Sequence, residues 1–251
     1  MSLRFLPVLG ILSLLACGGG GGTSGPAQPP ASAGVFEGPW TGTLQSNGGG
    51  SVTATALLLA SGEMRYVASN GIQAVGTVRA SGSSATGSGT MYAPSGYVFP
   101  GGATSTAFTL SGSGTGGATL SGTYSSAYDN GTFAFTYDAG AAYETPVVMA
   151  NVAGAYASLT TSTGYPISGR LTSTGTLTGS DAFGTFTGTL TAVNSGKNAF
   201  RVNVTYTPAG QGARSYSGLA FFDFSSSQVR LEVQTTGSAG QFAAELQLIG
   251  P

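Results

Sequence analysis

Apolar residues occupy every second position in many short segments of this 251-residue chain. In the segment AFRVNVTYT, residues 199–207, Phe200, Val202, Val204 and Tyr206 share one parity, and polar residues separate them. Successive side chains of a β-strand point to opposite faces, so a period of two indicates a strand with one buried face. The pattern predicts that these four side chains face a core.

The same alternation recurs along the chain, and turn-forming residues separate the segments that carry it. Further examples are GTFAFTY (131–137), GTFTGTL (184–190), QVRLEVQ (228–234) and QFAAELQL (241–248). Between such segments lie clusters such as SNGGGS and DNG, whose Gly and Asn residues suit the positive backbone angles of tight hairpins. We therefore expect an all-β fold of antiparallel barrel or sandwich modules, closed or stacked so that strand edges are covered.

One segment, YETPVVMANVAGAY at 143–156, breaks the alternation. Thr145 suits a helix cap, Pro146 suits a first helical position and Gly154 suits a helix end, so a short helix is expected near 146–153. Residues on its two sides resemble each other in the same order. The matching pairs are 38–44 with 154–160, 75–83 with 187–195, 117–122 with 212–218, and 131–135 with 240–244.

These matches favour two related modules, 34–143 and 144–251, that the short helix joins. A single barrel or sandwich with a biased composition stays open as the alternative, because chance identity is high in a chain rich in Gly, Ser and Thr.

The side chains that usually perform chemistry are scarce. The chain has no histidine, one cysteine, nine acidic residues and 7% charged residues. The acidic residues stand singly, without the spacing of a metal-binding loop, so we expect no catalytic site, no metal and no cofactor. GSGTGG at 112–117 matches a dinucleotide fingerprint, but strand-like residues follow it, which predicts a hairpin. A nearly neutral chain offers nothing that attracts nucleic acid.

The only cysteine, Cys17, follows a short apolar run and precedes five glycines. Arg4, the run Phe5 to Leu15 and Ala16 have the order of a secretory signal peptide, and the run is shorter than the roughly 20 residues that span a bilayer. Residues 18–34 contain Gly, Pro and small residues only, apart from Gln28, and this composition is typical of a flexible tether.

The segment Leu14 to Cys17, LLAC, resembles the bacterial lipobox, which the lipoprotein signal peptidase cleaves just before its cysteine. The resemblance implies a signal peptide at 1–16, fatty acylation of Cys17, for example with palmitate, and a tether at 17–33. In that family an Asp after the cysteine favours the inner membrane, so Gly18 implies lipid anchoring at the outer membrane. The alternative is an ordinary signal peptide followed by a chance cysteine.

Two further segments carry binding hypotheses. GPW at 38–40 resembles the G-x-W at the start of lipocalins, whose barrels hold small apolar ligands, and Tyr156 stands where Trp40 does in the other module. Both are candidate ligand-binding residues, and core plugs at the barrel ends are the alternative. SGLAFFDF at 217–224 predicts a strand with Phe222 and Phe224 inward and Phe221 against a neighbour, or an exposed docking patch.

The whole plan resembles that of Gram-negative surface lipoproteins and, distantly, the two-lobed transferrin-binding and factor-H-binding lipoproteins, on the segment FAAEL at 242–246. We expect a non-enzymatic, lipid-anchored protein whose modules bind an envelope or host macromolecule or support the envelope. A carrier of a small apolar ligand and an enzyme that acts on envelope polysaccharide through two carboxylates are the alternatives.

Overall fold

A computed structural model describes residues 33–94, 96–161, 164–237 and 240–250. Within these ranges the chain forms sixteen strands, which pair into two closed, antiparallel, eight-stranded barrels. This arrangement confirms the predicted fold class of two antiparallel β modules and selects barrels over sandwiches. The signal peptide, Cys17 and all of the tether except Ala33 lie outside the described residues, and Ala33 itself is buried against the first barrel.

Each barrel is an up-and-down meander in which neighbours in sequence pair and the last strand closes on the first. The first barrel contains β1 Gly38–Ser46, β2 Ser51–Leu58, β3 Glu63–Ala68, β4 Gln73–Ser81, β5 Ser84–Tyr92, β6 Ser105–Thr115, β7 Thr119–Ser126 and β8 Asn130–Tyr137. The second contains β9 Gly154–Thr161, β10 Ser168–Leu171, β11 Thr176–Ser180, β12 Gly184–Ala192, β13 Phe200–Pro208, β14 Arg214–Asp223, β15 Arg230–Gly237 and β16 Gly240–Gly250.

The alternation seen in the sequence determines which side chains face each barrel interior. Phe200, Val202 and Val204 of β13 belong to the core of the second barrel, and Phe133 and Phe135 of β8 to that of the first. The positions between them, Arg201, Asn203 and Ala134, face outward and are exposed. The predicted inward residues of β12, β15 and β16 also lie in the second core.

Inward glycines make room for aromatic rings from neighbouring strands. A Cβ built on Gly89 would lie 2.8 Å from the Phe108 ring, and one on Gly112 would lie 2.8 Å from the Phe133 ring. Each Cβ would also meet backbone of an adjacent strand at 2.6 Å or less. Small and large residues thus alternate inside the narrow barrel, which explains why a chain with 43 glycines still builds a core.

Short helical segments flank the barrels. The helix α1 spans Met149–Val152, inside the predicted range, but it begins after Val148 without a side-chain cap, so Thr145 does not cap it as expected. Three 3-10 turns lie at Gly34–Phe36, Pro100–Gly102 and Ala139–Ala141. The turn at 116–118 joins β6 to β7, as the hairpin interpretation of GSGTGG predicts.

The sequence echoes mostly fall on equivalent strands. In three of the four pairs, the matched segments lie on strands with the same place in their barrels. They are the first strands, β1 and β9, the fourth strands, β4 and β12, and the eighth strands, β8 and β16. The pair 117–122 with 212–218 is wrong, because it aligns the seventh strand of the first barrel with the sixth of the second. Its matched letters are mainly Gly, Ala and Ser, which recur by chance in this composition.

The two barrels share an apolar interface. Outward-facing Leu57 and Leu59 next to β2–β3 pack with Leu219 and Phe221 of β14 and with Tyr143 of the connecting segment. Phe222 is fully buried in the second barrel and Phe221 lies at the interface, as expected, whereas Phe224 is 39% exposed just after β14 and does not face inward. Residues 31–251 accordingly form one compact unit.

Polar contacts also join the barrels. Arg65 donates from Nη1 to Thr236 Oγ1 at 3.1 Å, and Glu63 forms ion pairs with Arg65 on its own strand and Arg201 on the other barrel. Lys197 bridges Glu37 and Glu144 and lies 5.1 Å from the Tyr143 ring centroid. These contacts position one barrel against the other and hold the β12–β13 loop of the second barrel against the segments before β1 and after β8.

Candidate ligand-binding cavity

The interior of the first barrel is filled by its own side chains. Trp40 contacts Tyr137 edge to face with 5.5 Å between ring centroids, and Tyr66 contacts Phe108 in the same way at 6.3 Å. Phe133 packs on Phe135 further along the barrel. The void left among these rings measures about 50 Å³. The first barrel is therefore a packed core.

A much larger cavity of about 680 Å³ opens into the second barrel and is bounded on one side by residues of the first. Its walls are apolar side chains that face inward from five strands and from the residue before β10. These apolar side chains include Ile167, Leu177, Phe186, Val204, Val233 and Leu246. A volume of this size is in the range of small-molecule binding sites.

The difference between the barrels follows from where their rings lie. In the second barrel Phe200 and Phe222 meet edge to face at 5.4 Å, close to the end that Tyr156 closes. Two further rings, Tyr165 and Phe183, lie at the opposite end, where they are 48% and 49% exposed instead of filling the interior. The half of the barrel between these groups keeps open space.

The open end of the second barrel, which we call the mouth, carries the β9–β10, β11–β12 and β13–β14 loops. Tyr165 and Phe183 pack edge to face there at 4.6 Å. Tyr97, which is 71% exposed, reaches the same cavity from the β5–β6 loop of the first barrel. The mouth is thus ringed by exposed aromatic side chains from both barrels.

A hydrogen-bonded carboxylate stands at the mouth. Asp181 accepts hydrogen bonds from the Phe183 and Gly184 backbone N–H groups, both at 2.8 Å, and from the Tyr206 hydroxyl at 3.0 Å. Burial, then the hydrogen bond to Asp181, raises the pKa of Tyr206 to about 12, so this hydroxyl stays protonated and donates at neutral pH. The carboxylate and the hydroxyl hold each other in place.

Gln241 attaches the first barrel to this region. Its Nε2 donates to the Ala93 carbonyl at 2.6 Å, and the residue is only 7% exposed. Residues 92–94, 96, 97 and 104 of the first barrel line the cavity beside the second-barrel strands. One wall of the cavity therefore comes from the first barrel, which the sequence did not predict.

The two sequence-predicted ligand residues close the barrel ends. Trp40 is 2% exposed and donates from Nε1 to the Phe36 carbonyl at 2.9 Å, and Tyr156 is 1% exposed and donates from its hydroxyl to the Val152 carbonyl at 2.6 Å. Each plug thus bonds the residue four positions earlier, in the short helical segment before its barrel. Trp40 lines the small void of the first barrel, whereas the cavity lining of the second barrel does not include Tyr156. Their role in ligand binding stays a prediction, as does lipidation of Cys17.

One pair of carboxylates is brought together away from the cavity. Glu232 and Glu245 are directly opposite on β15 and β16, on the outward face that also carries Phe221. Burial, followed by the charges of Glu245 and Asp223, raises the pKa of Glu232 to about 8. Glu245 instead pairs with Arg230 at 2.9 Å. Neither carboxylate lines the cavity.

Sequence reasoning missed the mouth residues. In the sequence, Asp181 is one of the singly spaced acidic residues, and Arg214 lies in the repeat match 212–218. A signal existed for Tyr206, because its parity on β13 placed it inward. The alternation does not show that β13 ends at the mouth. There the last inward residue of β13, Tyr206, lies opposite the first residue of β14, Arg214.

Within the described part of the chain, the structure contains no cluster of three or more His, Cys, Asp or Glu side chains arranged to hold a metal ion. No helix among those residues has the length and apolar character needed to cross a bilayer.

A scan against protein-family models found no match, and neither did a search of curated proteins. Among solved structures, the chain is similar to a provisionally assigned outer membrane protein from Bacteroides fragilis, with 18% sequence identity over 86% of this chain and 98% of that chain. The TM-score is 0.27. At these values the likeness supports no conclusion about location or function, and the fold described above rests on the strand pairing of this chain.

Proposed function

We propose that this is a non-enzymatic, lipid-anchored envelope protein whose second barrel binds a small, largely apolar ligand. The observation that carries the binding function is the contrast between the barrels. The interior of the first holds about 50 Å³ of open space, whereas the cavity that the second barrel forms with a wall from the first measures about 680 Å³. An apolar cavity with a few polar groups at its mouth is the usual form of a small-molecule site. The first barrel serves as a packed support that supplies one wall.

The anchored part of the proposal rests on the sequence. Cys17 in the segment LLAC would carry the lipid, Gly18 favours the outer membrane, and the residues before the buried Ala33 would tether the barrels. Two or more acyl chains hold a protein firmly to a membrane. The non-enzymatic part is supported by the absence of histidine from the sequence and by the hydrogen bonds that already occupy Asp181.

Binding can be tested with a fluorescent apolar probe such as N-phenyl-1-naphthylamine, whose emission rises when it leaves water. The compact unit, residues 31–251, should enhance its fluorescence saturably. Val204→Trp places a large ring in the cavity, because Val204 faces inward and lines it. We expect this variant to weaken probe binding by about tenfold or more.

Thr205→Trp is the matched control, because the neighbouring residue on the same strand faces outward and is exposed. It adds the same ring to the protein surface and should leave probe binding unchanged. Circular dichroism and thermal melts show whether both variants keep the fold. Equal probe binding by the wild-type protein and a folded Val204→Trp variant would exclude the cavity as the site.

A macromolecular partner is the second candidate, and the exposed aromatic residues at the mouth favour it. Tyr97, Tyr165 and Phe183 present three rings to solvent within one region. Exposed aromatic groups of this kind often anchor partners. A pull-down from envelope extracts with the wild-type protein and a Tyr97→Ala, Phe183→Ala variant tests this, and retention of the same partner by both proteins would argue against these rings.

A further inference from the structure

Arg214 is the only positively charged side chain among the described residues that line the cavity. It lies at the start of β14, directly opposite Tyr206 of β13. Directly paired residues of antiparallel strands project to the same face, and Tyr206 lines the cavity. The guanidinium group of Arg214 therefore stands on the cavity side of the mouth.

The charge of Arg214 is not matched by a carboxylate. Its Nη2 donates to the Gln211 side-chain oxygen at 2.6 Å, and among the described residues it forms no salt bridge within 4.0 Å. A guanidinium group has five N–H donors, so most of them stay available. Arg214 can accept an anion without giving up an existing ion pair.

The nearby carboxylate is engaged elsewhere. Asp181 accepts hydrogen bonds from two backbone N–H groups and the Tyr206 hydroxyl, and these three donors stabilise its negative charge. The lining residues carry one cation and one anion, and three donors already bind the anion, so Arg214 offers a single unpaired positive charge to a ligand. A monoanion suits this mouth better than a dianion or a cation.

We propose that the ligand of the second barrel is a single-tailed amphiphile with a carboxylate head, a proposal that rests on the binding function proposed above. The apolar tail lies among inward side chains such as Leu177, Val233 and Leu246, and the carboxylate meets Arg214 at the mouth. A guanidinium group binds a carboxylate through two parallel N–H···O bonds, which fixes the head while the tail stays in the apolar space.

The test compares ligands that share one tail and differ in the head. Isothermal titration calorimetry on residues 31–251 would use decanoate, decanol, decyl phosphate and decyltrimethylammonium, each below the concentration at which it forms micelles. We expect decanoate to bind about tenfold more tightly than decanol, as one charge-assisted pair provides. Decyl phosphate and the cation should bind more weakly than decanoate.

Arg214→Gln should remove the preference for decanoate and leave the affinity for decanol within about threefold of the wild-type value. Arg170→Gln is the matched control, because Arg170 is exposed on β10 and does not line the cavity, and this variant changes the net charge equally. It should keep the preference. Thermal melts confirm that both variants are folded.

The outcomes separate this proposal from the binding function on which it rests. Equal binding of decanoate and decanol, a preference that persists in Arg214→Gln, or tighter binding of the phosphate or the cation would each overturn the carboxylate assignment and leave the cavity as a binding site. Failure of every decyl compound and of the fluorescent probe to bind would overturn both proposals.

Discussion

Replacing Glu232 by Gln should stabilise this protein at alkaline pH and have little effect in acid. Glu232 lies on the outward face of β15 at the inter-barrel side, opposite Glu245. The charges of Glu245, Asp223 and Asp138 repel its carboxylate, and Arg230 opposes them. Burial, then these negative charges, raises the pKa of this carboxyl from its ordinary 4.5 to about 8. The glutamine side chain has the shape of the protonated acid and cannot ionise.

The sign follows from proton binding. Between pH 4.5 and 8 the folded protein keeps a proton on Glu232 that the unfolded chain has lost, so the folded state loses stability as the pH rises through this window. Below pH 4.5 Glu232 is protonated in both the folded and the unfolded state, so it does not destabilise the fold. Above pH 8 it is ionised in both states, and the destabilisation by its buried charge reaches its full value.

The magnitude follows from the pKa difference. At 1.36 kcal/mol for each pH unit, a rise of about 3.5 corresponds to a ceiling of about 5 kcal/mol. Glu232 keeps some contact with water, so we expect Glu232→Gln to stabilise the protein by about 2 kcal/mol at pH 9. For a protein of this size the melting temperature should then rise by about 4 to 8 °C.

The assay is urea unfolding and thermal melting of residues 31–251 and the variant at intervals from pH 4 to pH 9. Glu144→Gln is the control, because it makes the same change of charge at a side chain that is 67% exposed. A Glu232→Gln effect that is constant from pH 4 to pH 9, or that is destabilising at pH 9, would refute the assignment of this carboxyl as a buried, repelled group.

Four other outcomes are expected. Cys17→Ser should leave the precursor unprocessed and unlabelled by radioactive palmitate, and normal labelling would end the lipobox interpretation. Tyr156→Phe removes the hydrogen bond to the Val152 carbonyl and should lower the free energy of unfolding by about 1 kcal/mol in urea titrations. Asn198→Ala removes hydrogen bonds to Ala141 and to both backbone groups of Phe222 at a buried position, and should cost about 2 to 4 kcal/mol by the same measurement; a cost below that of Tyr156→Phe would contradict this ranking. Residues 144–251 expressed alone should give a β-rich circular dichroism spectrum and a cooperative melt, and aggregation would show that this barrel depends on the interface with the first.

Much of the fold could be predicted because it depends on neighbours in sequence. Because successive side chains of a strand point to opposite faces, the odd or even position of a residue such as Phe133 or Val202 predicts which face it occupies. This holds whichever strand is the neighbour. Glycine-rich turns mark hairpins by their backbone angles alone. The failure at Phe224 has the same origin, because parity continues past Asp223 in the sequence whereas β14 ends there.

The sequence by itself indicated that the chain is all-β and favoured two related modules, since periodicity and turn chemistry are local. The signal peptide and the lipidation of Cys17 stay predictions from a short motif. Only the tertiary structure decided that the first barrel is packed throughout and that a cavity opens at one end of the second. Closure brings together rings from strands far apart in sequence and leaves others, such as Tyr165 and Phe183, at the rim. It also decided that Asp181, Tyr206 and Arg214 meet at one mouth and that a loop of the first barrel completes the wall. Such contacts depend on register and barrel closure, and no local pattern encodes where strands from distant parts of a chain will end.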